Sequence, residues 1–121
     1  MDTDRRAGPA LPPALSGERR ELAGAAGTVS YYAAAWGRDR RAPVLLIHSV
    51  NAAASAYEVR PLYERLRQTR TVYALDLPGF GFSARSERAY TPRLMTDAVH
   101  AVVEEIRARH GGSAVDALAL S

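Results

Sequence analysis

Three short apolar runs constrain this chain more than any other feature. Pro43–His48, Thr71–Asp76 and Val115–Leu120 are each six residues long and largely apolar. Runs of that length, rich in β-branched and aliphatic residues, mark strands covered on both faces, as in parallel sheets. The segments between them carry helical spacing. Across Tyr57–Gln68, residues Val59, Leu62, Tyr63 and Leu66 fall on one face. Pro61 is placed in the first turn, where its missing N–H costs nothing. Thr91-Pro92 opens a longer helix, with Thr as N-cap and Pro at the first helical position. Met95, Val99, Val102 and Ile106 then form an apolar stripe, and His110-Gly111-Gly112 stops the helix. Strand, helix, strand, helix, strand predicts an α/β fold: a three-layer parallel sheet joined by right-handed crossovers.

Upstream of these runs, Thr28–Trp36 is a further strand-like segment, followed by the polar turn 37–41. Residues 1–26, with Pro9, Pro12, Pro13 and many Gly and Ala, read as a flexible arm with a short helical turn near Gly17–Ala23. The expected organisation is therefore an arm over 1–26 and one domain over 27–121.

Composition narrows the function classes. Hydrophobic residues make up 47% of the chain and charged residues 24%, the balance of a globular protein. No uncharged apolar stretch approaches the roughly 18 residues needed to span a bilayer, so no membrane partner is expected. The amino terminus lacks the apolar core of a secretory signal, and a cytoplasmic location is the expectation. With no cysteine there are neither disulfides nor thiolate metal sites. All 16 basic residues are arginine, yet they are scattered among 13 acids without interleaved aromatic residues. A net charge of +3 is a weak field, so no nucleic-acid partner is expected. His100 and His110 show no metal-ligand spacing and read as solvated, and no metal or cofactor is expected.

In open parallel sheets, functional groups collect at the carboxyl ends of the strands. Three such ends occur here. The first is His48-Ser49-Val50-Asn51, with His48 read as a buried, hydrogen-bonded strand-end residue instead of a catalytic base. The second is Asp76-Leu77-Pro78-Gly79-Phe80-Gly81-Phe82-Ser83. In it Pro78 ends the strand, Gly79 and Gly81 permit backbone angles closed to other residues, and Asp76 accepts hydrogen bonds from loop N–H groups. The third is Ala119-Leu120-Ser121, preceded by Asp116, read as a strand-edge charge.

A strand ending in His, then D-x-P-G-x-G-x-S, a long helix, and V-D-x-x-small-x-Ser resembles the amino-terminal half of an α/β hydrolase, over residues 27–121. The resemblance implies particular roles. Ser121 would be the nucleophile of the tight strand-to-helix elbow, with Ala119 at its first small position. In the alternative register Ser121 is that first small residue, and the nucleophile follows two residues later. Val50 would donate a backbone N–H to the oxyanion, although Ser49 stands where the family has glycine. His48, Asp76, Pro78, Gly79, Gly81 and Ser83 would build the supporting loops.

In this family the acid and the histidine of the triad follow the nucleophile. The implied function is thus a serine hydrolase of ester or other acyl substrates, with only the candidate nucleophile encoded within these residues. The chain alone is expected to be inactive, and Val115–Leu120 is expected to be an apolar edge strand able to self-associate. The alternative is a non-catalytic remnant or interaction fragment. A third reading rests on Gly79–Ala84, which matches the G-x-G-x-x-A dinucleotide fingerprint. Its glycines, however, do not open a helix directly, and Pro78 disturbs the turn.

Overall fold

The computed structural model describes residues 12–24, 27–37, 41–51, 54–85 and 90–120. Five strands form one sheet: β1 (Glu18–Gly24), β2 (Gly27–Ala34), β3 (Val44–Ile47), β4 (Val72–Leu75) and β5 (Asp116–Ala119), in the order β1-β2-β4-β3-β5. Between β3 and β4, a 3₁₀ turn over Ala56–Val59 runs directly into α1 (Arg60–Leu66). Between β4 and β5 lies α2 (Pro92–Arg109).

β3 pairs in parallel with both β4 and β5, in the registers Val44↔Val72 and Val44↔Asp116. The step from β3 to β4 and the step from β4 to β5 run in opposite directions across the sheet. Two crossovers of the same hand must then lie on opposite faces, and α1 and α2 do. One face packs Tyr31, Leu45, Tyr73 and Leu75 against Ala98, Val102 and Ile106 of α2. The other packs Tyr32, Val44, Leu46, Val72 and Ala74 against Val59 and Tyr63. Alternate residues of the central strands thus enter alternate cores, which is why their sequences read as continuous apolar runs.

The three apolar runs form the parallel part of the sheet, as expected. β2, whose direction the sequence left open, runs antiparallel to β4 and to β1, so the sheet as a whole is mixed. One sequence expectation about the sheet needs correction, and it concerns the arm. Residues 18–24 form β1 where a helical turn was expected, paired with β2 from Glu18↔Ala33 to Gly24↔Gly27. Their charges alternate at strand spacing, so Glu18 pairs with Arg20 and Arg19 with Glu21 along one side of the strand or the other. Docking begins even earlier: Leu15 is buried and the Tyr63 hydroxyl donates to Ser16 O at 2.9 Å. Residues 1–11 lie outside the described residues.

The helix signals read from sequence have direct counterparts. The Thr91 side chain accepts from Leu94 N at 3.1 Å, Pro92 opens α2, and Gly111 and Gly112 follow it with φ of 67° and 82°. His110 departs from its solvated reading. Its Nε2 lies 2.7 Å from the Tyr73 hydroxyl, and the two rings meet edge-on. Among the described residues no helix is long and apolar enough to cross a membrane.

Candidate active site

β4 ends in Asp76, which is 1% exposed. Its Oδ1 accepts from Ala56 N at 2.9 Å and its Oδ2 from Phe82 N at 3.1 Å. One buried carboxylate therefore ties the start of the 3₁₀ turn to the loop that leaves β4. Burying a carboxylate is costly unless its oxygens are matched by donors, and two amide N–H groups supply the match. The loop must bend tightly around it. A Cβ added at Gly81, where φ is +52°, would lie 2.2 Å from the Asp76 carboxylate. At Gly79, φ +85°, it would meet the Tyr90 ring at 2.9 Å. Ser83 closes the loop: its Oγ donates to Asp76 O and accepts from Ser30 N at 2.8 Å, which fastens the turn to β2.

β3 ends in His48, which is 2% exposed. Its Nε2 accepts from Leu77 N at 3.0 Å, so its Nδ1 carries the proton and donates to Ser49 O at 2.6 Å. The Phe80 ring packs against it at 5.2 Å between centroids. Both ring nitrogens are engaged, and the imidazole joins the two strand-end loops.

Beyond His48 the chain is held differently. Ser49 N donates to Glu58 Oε1 at 2.6 Å, and Ser49 Oγ lies 2.8 Å from each Glu58 oxygen. Asn51 Nδ2 donates to Ser49 Oγ at 2.9 Å. These bonds, first the backbone N–H and then the hydroxyl, hold the Glu58 carboxyl below the usual carboxylate range. Glu58 was not singled out from sequence. Its only local signal is an acid in the first turn of a helix, which reads as a favourable charge for the helix dipole. The next N–H, that of Val50, has no acceptor among the described residues, and the Val50 side chain is exposed.

β5 arrives alongside. Leu120 N donates to Ile47 O at 2.9 Å, which brings the end of β5 level with His48. Ser121, the candidate nucleophile, is the next residue and lies outside the described residues. A cleft of about 280 Å³ borders Val50, with Phe80, Tyr90, Met95 and Arg85 among its walls. Asp116, at the start of β5, pairs with Arg70 at 3.2 Å. His100 is exposed on α2, remote in sequence from all three strand ends. Among the described residues no three His, Cys, Asp or Glu side chains cluster as metal ligands would.

A family model described as the alpha/beta hydrolase family matches residues 44–121. The chain belongs to the alpha/beta hydrolase family. Solved structures agree with the fold. A hydrolase from Pseudomonas aeruginosa PA01 aligns at 20% identity and TM-score 0.69, covering 88% of this chain and 37% of that one. A membrane phospholipase A described as a bacterial virulence factor aligns at 21% and 0.68, covering 86% and 31%. A meta-cleavage product hydrolase from Pseudomonas fluorescens IP01 reaches 31% identity at TM-score 0.58, covering 73% and 31%. This alpha/beta hydrolase chain thus spans about a third of the length of these structures. A comparison with curated proteins returns no match.

Proposed function

We propose that this chain is the amino-terminal portion of a serine-type alpha/beta hydrolase acting on ester or other small acyl substrates. Ser121 Oγ attacks the acyl carbon, and the Val50 N–H donates to the oxygen that becomes negative. One observation carries the reading. The Leu120–Ile47 hydrogen bond sets the carboxyl end of β5 beside the loop that presents Val50, and Ser121 is the next residue. A serine is a weak nucleophile until a base takes its proton, and that base needs an orienting partner. The proposal assigns both to sequence after position 121, in the family's order of nucleophile, acid and histidine. Acyl transfer through serine draws on no cofactor. The partner is a small-molecule substrate, neither nucleic acid nor membrane, and the setting is the cytoplasm. The exposed β5 edge is a further proposed contact, through which the 121-residue chain pairs with copies of itself.

The test uses a fluorophosphonate probe, which bonds to an activated serine oxygen with loss of fluoride, together with p-nitrophenyl butyrate. The gene product that continues past codon 121 is expected to label at Ser121 and to lose turnover in Ser121→Ala. The 121-residue chain is expected to show no turnover above its own Ser121→Ala control. Labelling at another serine, or turnover that survives Ser121→Ala, overturns the assignment. A complete gene product without a later acid and histidine would establish the non-catalytic remnant instead.

A further inference from the structure

We propose that Glu58 is a positioning residue, whose carboxylate clamps Ser49 and thereby leaves the Val50 N–H open toward the reacting oxygen. The inference rests on the reading of Val50 as the oxyanion donor. Where the family pattern has glycine after the strand-end histidine, this chain has serine, and serine brings a hydroxyl that a nearby acceptor can hold. The Glu58 carboxylate takes the Ser49 N–H at 2.6 Å and shares the single hydroxyl proton between its two oxygens, both at 2.8 Å. Asn51 Nδ2 fills the acceptor side of the same hydroxyl at 2.9 Å. Every hydrogen-bonding group of Ser49 outside its carbonyl is then engaged, and that carbonyl accepts from His48 Nδ1.

The clamp works because Glu58 itself stands on a fixed element. The 3₁₀ turn buries Ala56 and Val59, and its first N–H is held by the buried Asp76 carboxylate at 2.9 Å. A continuous chain of bonds therefore runs from the end of β4, through the turn, to the loop after β3. Of two successive backbone N–H groups, Glu58 consumes the first and the second has no acceptor among the described residues. A charge-assisted bond of this length fixes direction as well as distance. Oxyanion donors must be oriented before the reaction to contribute to its rate. A carboxylate held below its usual range is a poor proton acceptor, so the Ser49–Glu58 pair is a clamp and not a second nucleophile–base dyad.

The experiment follows the Ser49 and Val50 amide resonances in ¹⁵N-labelled protein, alongside steady-state hydrolysis of p-nitrophenyl butyrate by the complete gene product. In the unsubstituted protein the Ser49 amide is expected to shift as Glu58 titrates, at a pH below the roughly 4.3 of a free glutamate. In Glu58→Gln that inflection disappears and the Val50 amide moves with it. The same variant is expected to lower kcat about 10- to 100-fold with KM unchanged, part of the roughly 100- to 1,000-fold that removing a whole oxyanion donor costs. The melting temperature should hardly change, because Glu58 lies at the surface. A Ser49 amide that ignores the Glu58 titration, or a Val50 amide unmoved in Glu58→Gln, overturns the clamp. A KM effect with intact kcat overturns its catalytic role. The amide readouts involve neither Ser121 nor turnover. An intact clamp in a protein without Ser121-dependent hydrolysis would therefore mark failure of the hydrolase reading, and not of the clamp.

Discussion

The loops that follow β3 and β4 leave neighbouring parallel strands side by side, yet they are held by opposite means. The loop after β4 closes on a carboxylate that solvent does not reach, and Ser83 fastens it to β2 through another buried group. The loop after β3 past His48 is held by an exposed carboxylate and an exposed asparagine. The first loop is part of the frame, because its polar groups lose their partners if it opens. The second can exchange protein partners for water at little cost. Hydrogen bonds of similar length thus contribute very differently to stability, according to what replaces them on opening. Placement of a reacting group can depend on the weaker set while the fold depends on the stronger.

Substitutions in the two loops should therefore separate in size. The largest effect is expected from Gly81→Ala, which drives a methyl group into the Asp76 carboxylate at a backbone angle unfavourable to side chains. A loss of about 4 kcal/mol, seen as a collapsed denaturant midpoint or insoluble protein, is the expected outcome. A mild effect there would mean that the frame is softer than the bonds imply. Asp76→Ala leaves the Ala56 and Phe82 N–H groups without their acceptor and should cost about 3 kcal/mol in urea unfolding. Ser83→Ala removes one donor and one acceptor from a buried site, about 1–2 kcal/mol by the same measurement.

In the outer loop, Ser49→Gly should change stability by no more than about 0.5 kcal/mol. The acid dependence has a definite sign. Glu58 has a depressed value in the folded protein, so its contribution is present above the unfolded glutamate range and fades as pH falls through the folded value. Glu58→Gln should flatten that small acid-side slope. Should Ser49→Gly instead cost as much as Ser83→Ala, the contrast between the loops would be broken.

Much of the frame was legible in sequence because the signals are local. Thr91-Pro92 is a helix start within two residues, and Gly81 beside Asp76 marks a turn around a carboxylate. The positions of β3 and β4 followed from runs that a doubly covered sheet requires, whereas β5, read from a similar run, is exposed along its length. What escaped depended on distant partners. β1 is a row of Glu and Arg whose strand character appears only when β2 lies against it, and the direction of β2 is decided by pairing with β4. Glu58 escaped for the same reason, since its partner Ser49 lies across a loop and its composition signal is that of any helix start. His110 looked like a solvated residue beyond a helix until Tyr73, on β4, supplied its hydrogen bond.

Among the described residues β5 pairs only with β3 and all four of its residues are exposed, whereas β4 has neighbours on both sides and is wholly buried. Deuterium uptake should therefore be graded across the sheet, fastest along Asp116–Ala119 and slowest along Val72–Leu75. Peeling of that outermost ribbon would separate Leu120 from Ile47 while the Asp76 knot stays tied. The alignment of Leu120 with the loop after β3 would then have a lifetime of its own, shorter than that of the folded domain.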